Sequence, residues 1–114
     1  MDFIDFQALK NSYPQDEDFQ QDVVDAFIKR IPTYYHCLKT SLDRKNTEEI
    51  LAYSCQLRGA ADRCCVPQVE KLCLKLDTEI QDDDLKAAVL TFQKIRKILR
   101  SIQNRYPVNL SYLV

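Results

Sequence analysis

The sequence predicts an all-α fold, an antiparallel up-and-down four-helix bundle with a short N-terminal helix capping one end. Three observations carry this expectation. The chain has one glycine and four prolines in 114 residues, whereas β-sandwiches and barrels need turn residues about every ten positions. Its hydrophobic residues are 46 % and its charged residues 29 %, ordinary proportions for one soluble core. Finally, apolar residues recur every three or four positions through four long segments, the period of a helix that buries one face. A single domain over residues 1–114 is expected. The glycine count also excludes a Rossmann fingerprint, which needs three, and a P-loop, which needs two.

The first segment, Phe3 to Tyr13, sets Phe3, Phe6 and Leu9 in a short helical pattern that stops before Pro14. The second helix is expected from about Asp16 to Asp43. Asp16, Glu17 and Asp18 stand at its start, where acids suit the positive end of the helix dipole. Phe19, Val23, Phe27, Ile31, Tyr34, Leu38 and Leu42 form its buried stripe. Pro32 interrupts that stripe and, lacking an N–H, predicts a kink or break. Asn46-Thr47-Glu48-Glu49 reads as a capping box opening a third helix, which runs to Cys64 or Cys65. Pro67 suits the first position of a fourth helix, ending near Ile80, with Val69, Leu72, Cys73, Leu76 and Ile80 inward. Asp82-Asp83-Asp84 starts the fifth, which buries Leu85, Ala88, Val89, Phe92, Ile95, Leu99 and Ile102 and runs to about Asn104. Pro107 ends it. Short connections make successive helices antiparallel neighbours.

Charge and cysteine usage narrow the function classes. The net charge is −1, but the last thirty residues hold six bases and no acid. A basic segment can read nucleic acid. Here no aromatics interleave with the bases and the pI is 5.8, so a solvated helix face is the expectation. The N-terminus is acidic and lacks an apolar core, so a signal peptide is not expected. The apolar runs are too short for a membrane span. Five cysteines, an odd number, then fit free thiols in a reducing, cytoplasmic setting. A metal site is not expected, because no Cys-x-x-Cys pair occurs and Cys64 and Cys65 are adjacent. No cofactor motif is present. No Ser-His-Asp or Cys-His arrangement has catalytic spacing, so the chain is not expected to be an enzyme in the ordinary sense.

The third helix holds the glycine. At 100° of rotation per residue, Ile50, Ser54, Leu57, Ala61 and Cys64 fall within roughly 40° of one line, the core stripe. Cys55, Gly59, Asp62 and Leu51 fall on the far side, with Arg58 flanking them. A glycine in mid-helix costs about 1 kcal/mol relative to alanine. Either the bundle tolerates it, or something approaches the backbone there and a side chain would obstruct it. In the second case Leu51, Cys55, Arg58, Gly59 and Asp62 form a small platform facing a partner.

Cys55-Gln56-Leu57-Arg58-Gly59-Ala60-Ala61 resembles the core motif of histidine-containing phosphotransfer (HPt) domains. That motif reads His, any residue, Leu, Lys, Gly and two small residues. The resemblance extends downstream through Val69, Leu72, Cys73, Leu76 and Asp77, and upstream through Phe27 to Leu42 with Pro32. It covers roughly Phe19 to Ile80 and a compatible last helix. It implies a phosphorelay module whose partners are receiver domains or sensor histidine kinases. The departure lies at the centre of the motif, where Cys55 stands in place of the phosphoacceptor histidine. Arg58 replaces lysine and keeps a positive charge that can meet a phosphoryl group or an acidic pocket. Cys65 stands where many members have glycine. The one histidine, His36, projects opposite the second helix's core stripe and has no glycine beside it.

The leading expectation is therefore a degenerate HPt module, acting as a monomer, that docks a receiver or kinase without relaying phosphate. Two alternatives come from other classes. One is a redox sensor using Cys55 as an exposed thiol. The other is a helical interaction module with no chemical site.

Overall fold

The computed structural model describes residues 3–14 and 16–105. Within them five helices follow in order: α1 (Phe6–Ser12), α2 (Glu17–Asp43), α3 (Thr47–Cys64), α4 (Pro67–Gln81) and α5 (Leu85–Arg105). Three begin as the sequence predicts. Asp16 accepts a hydrogen bond from the Phe19 amide, Asn46 from the Glu49 amide and Asp84 from the Ala87 amide. Each satisfies one of the orphan N–H groups of a helix start. Pro67 opens α4 as its first residue, where its missing N–H costs nothing. Helix α5 is helical up to Arg105, the last described residue, and the expected end at Pro107 lies outside the described residues.

The three turns between the long helices are built alike. Lys45, Cys65 and Asp83 each adopt a left-handed backbone, with φ of 55°, 60° and 57°. Each amide returns to the carbonyl three residues back. The next amide, of Asn46, Val66 or Asp84, returns to the carbonyl five back, at 3.1, 2.8 and 2.8 Å. This is the Schellman closure, which usually places glycine at the left-handed position. Here the chain uses non-glycine residues at all three. The residue that closes one helix also immediately precedes the next, so adjacent helices must reverse direction.

Each of α2 and α4 packs against both α3 and α5, closing a four-helix ring. Leu38, Ile50, Leu57, Leu76 and Ile95 are fully buried at its centre. Three polar side chains are buried with them, and each is hydrogen-bonded. Ser41 donates to the Cys37 carbonyl, Ser54 to the Cys73 carbonyl and Thr91 to Glu79. The last two tie α3 to α4 and α4 to α5. The α1 segment caps the end where α3 finishes. Ile4 and Leu9 are buried there, the Asp5 amide donates to the Cys65 carbonyl at 2.7 Å, and the Tyr13 hydroxyl donates to the Arg63 carbonyl.

Several expectations change. Of the kink or break expected at Pro32, the break does not occur, since α2 is continuous through it. A mid-helix proline costs about 3 kcal/mol, but Ile28, Ile31, Tyr34 and Leu38 around it are buried, each contributing roughly 1.5–3 kcal/mol. Packing therefore holds the helix on both sides of the missing bond. Helix α1 is shorter than Phe3–Tyr13 because Asp5 caps it. Phe19 is 46 % exposed. It lies on the first turn of α2, where its ring meets Tyr13 edge-on at 5.0 Å. Val89 is 41 % exposed, since it falls roughly 120° from Ile95 around α5. Thr91 and Ile98 occupy the inward positions instead. Val23, Leu72 and Leu85 are half-buried at the rim of the core.

Replacing Cys65 by glycine tests the turn strain. A side chain in the left-handed region costs about 1–2 kcal/mol, partly offset by the packing of the half-buried thiol and by the entropy of an added glycine. Cys65→Gly is expected to raise stability by up to about 1 kcal/mol, read as a higher urea midpoint with unchanged slope. A lowered midpoint would mean that the thiol's packing outweighs the strain.

Candidate functional site

Helix α3 is held at a fixed rotation. Ile50, Ser54, Leu57, Ala61 and Cys64 are all fully buried, as the projection predicts. The opposite side consequently faces out. Cys55 and Asp62 are exposed, while Arg58 and Gly59 are half-buried. Leu51 departs from expectation. It is half-buried and packs against the core, because its position leads into the seam with α4 and not to the crest of the outward face. The platform is therefore Cys55, Gly59 and Asp62 along the crest, with Arg58 leaning to the α4 side.

Two flanks border this crest. Toward α4, the Arg58 guanidinium lies 3.7 Å (Nη1) from Oδ2 of Asp77 and donates from Nη2 to the Cys55 sulfur at 3.9 Å. The other Asp77 oxygen, Oδ1, is buried without a hydrogen-bond partner. Toward α2, a groove is lined by Phe27, Arg30, Tyr34, Ala60 and Arg63. Asp62 borders a second groove shared with Tyr13 and Glu70. Burial first, and then the nearby Asp62 charge, push the Glu70 carboxyl above its ordinary range.

Gly59 has an ordinary helical backbone. A methyl group added there would meet only the Arg63 guanidinium, at 3.7 Å, an ordinary contact. Nothing inside the described fold therefore requires glycine at this position.

The thiols divide by burial. Cys64 and Cys73 lie in the core, and burial pushes both up to about 12, so neither is a nucleophile near neutral pH. Cys65 is half-buried and also raised, chiefly by burial. Cys55 is the exposed thiol. His36 is exposed on α2, as expected. Among the described residues no group of three or more His, Cys, Asp or Glu is placed to hold a metal ion, and no helix is long and apolar enough to cross a membrane. The α5 bases Lys86, Lys94, Arg96, Lys97 and Arg100 are exposed on its outer face. Arg96 lies over the Tyr35 ring at 5.2 Å, and that ring stacks on Phe92.

With this geometry in hand, known structures give a close counterpart in shape. The crystal structure of the HPt domain of a hybrid sensor histidine kinase from Shewanella superposes with a TM-score of 0.67, over 93 % of this chain and 97 % of that one, at 11 % sequence identity. The chain has the fold of an HPt domain. At that identity the likeness is one of architecture. No family model matches the sequence, and no curated protein sequence matches it. The likeness thus rests on the bundle itself.

The outward face places Cys55, Arg58, Gly59 and Asp62 together and sets Leu51 aside. Sequence reading missed the Arg58–Asp77 pair. Both residues were legible as members of the motif, but their contact depends on how α3 and α4 are rotated against each other.

Because the fold does not need Gly59, Gly59→Ala is expected to stabilise the protein by about 0.5–1 kcal/mol through helix propensity. Chemical denaturation checks this. Destabilisation would show a packing demand that the Arg63 contact does not express.

Proposed function

We propose that this chain is an HPt-like module of a phosphorelay system, docking a receiver domain or a sensor histidine kinase through the outward face of α3 without relaying phosphate. The observation that supports it most is the costly glycine at the crest of that face. The bundle would be more stable with alanine at Gly59, and a backbone left bare beside Cys55 suits close approach of a partner surface. Arg58, Arg30 and Arg63 border the crest with positive charge, which suits the acidic pocket of a receiver domain.

The chemistry argues for docking without transfer. In the resemblance, the position of Cys55 belongs to an imidazole, a nitrogen nucleophile at neutral pH. A thiol in water is mostly protonated there. The module would then work as a competitor or adaptor, as one monomeric unit in the reducing cytoplasm, and not as an enzyme.

A second reading uses the same residue differently. Cys55 is exposed with a guanidinium 3.9 Å away, an environment that suits a redox-sensing thiol.

Calorimetric titration with receiver domains and sensor kinases from the same organism tests the docking reading. At least one is expected to bind, and Gly59→Arg is expected to weaken it at least about tenfold, or ~1.4 kcal/mol. Incubation with the phosphorylated receiver should leave no label on Cys55. Absence of any binder, or binding indifferent to Gly59→Arg, would overturn docking. Label on Cys55 would overturn the loss of relay. Selective oxidation of Cys55 by mild peroxide, without any docking partner, would favour the redox reading.

A further inference from the structure

We infer that Asp77 is the positioning residue of this site: its carboxylate holds the Arg58 guanidinium toward α4 and so sets how much positive charge is offered to Cys55 and to an anionic group on a partner. The consequence for a partner rests on the docking reading above. The restraint itself does not.

The pair spans two helices, with Arg58 on the outer flank of α3 and Asp77 on α4. The Asp77 side chain is 19 % exposed and that of Arg58 is 37 % exposed, so the acid is the more anchored of the two. Their closest approach, 3.7 Å, exceeds the roughly 2.9 Å of an N–H···O bond. This is an ion pair without a tight hydrogen bond. Asp77 is poorly satisfied elsewhere, since Oδ1 is buried and receives no donor. A buried carboxylate oxygen without a donor is costly, and the guanidinium is the charge that offsets it. Drawing Arg58 outward, toward the Cys55 thiolate or toward a docked anion, would strip Asp77 of that compensation. Asp77 therefore opposes each of those movements.

The guanidinium already reaches both ways. Nη1 faces Asp77 while Nη2 faces the Cys55 sulfur at 3.9 Å. A small swing of one planar fork redistributes its charge between an internal acid and an external anion. The acid on α4 thereby becomes a determinant of how strongly this face attracts negative charge, although Asp77 itself does not lie on the crest.

The substitution Asp77→Asn keeps the shape and removes the charge. The readout is the rate of iodoacetamide alkylation at Cys55 at neutral pH, followed by peptide mass spectrometry on the folded protein. Asp77→Asn is expected to speed alkylation at least about threefold, because the thiolate gains an uncompensated guanidinium. The double variant Arg58→Gln, Asp77→Asn should lose that gain, while Cys64 and Cys73 stay protected in each case. A wild-type rate in Asp77→Asn, or a gain that persists without Arg58, would overturn the inference. Asp77→Asn should also tighten any receiver found to bind. If none binds, the docking reading fails and the alkylation result still decides the role of Asp77.

Discussion

The burial of one stripe on α3 sets everything that follows. Ile50, Ser54, Leu57, Ala61 and Cys64 have no exposure at all, and the Ser54 hydroxyl is committed to the Cys73 carbonyl on α4. Rotating α3 by even a third of a turn would expose apolar side chains worth roughly 1.5–3 kcal/mol each and strand a buried hydroxyl. The helix therefore has one available orientation. That orientation places Cys55, Gly59 and Asp62 outward, so the position of the site is a consequence of the core.

The turns have the same character. Three successive helices close through a left-handed residue and pass at once into the start of the next. Such turns are where glycine is cheapest, yet Lys45, Cys65 and Asp83 occupy them. The single glycine of the chain stands in mid-helix, where it is costly. Stability alone would have arranged these residues the other way round. The inversion is best understood if the α3 face meets another molecule.

Much of the architecture was legible in the sequence because it depends on local periodicity and capping. Asn46, Asp16 and Asp84 cap their helices, Pro67 opens one, and the stripes of α3 and α4 are inward with Leu72 at the rim. Expectations failed where tertiary packing decides. Pro32 does not break α2, because buried neighbours on both sides outweigh its missing bond. Phe19 stands on the first turn of α2, where Tyr13 meets it, and Val89 lies too far round α5 from Ile95 to face the core. At the site, the outward placement of Cys55 and Gly59 followed from helical geometry alone. The half-burial of Leu51 and the contact of Arg58 with Asp77 did not, since both depend on the angle at which α4 lies against α3. The α3 motif also shows how a short resemblance and a shared fold can coexist with 11 % identity. A bundle needs apolar spacing more than it needs particular residues.

The outward face of α3 as a docking surface can be examined most directly by recording amide chemical shifts of the isotope-labelled protein while adding a receiver domain. The shifts are expected to cluster from Cys55 to Asp62 and on the flanking turns of α2 and α4, with the α5 face unmoved. Shifts confined to the basic face of α5, or none with any receiver domain, would contradict the assignment of this surface.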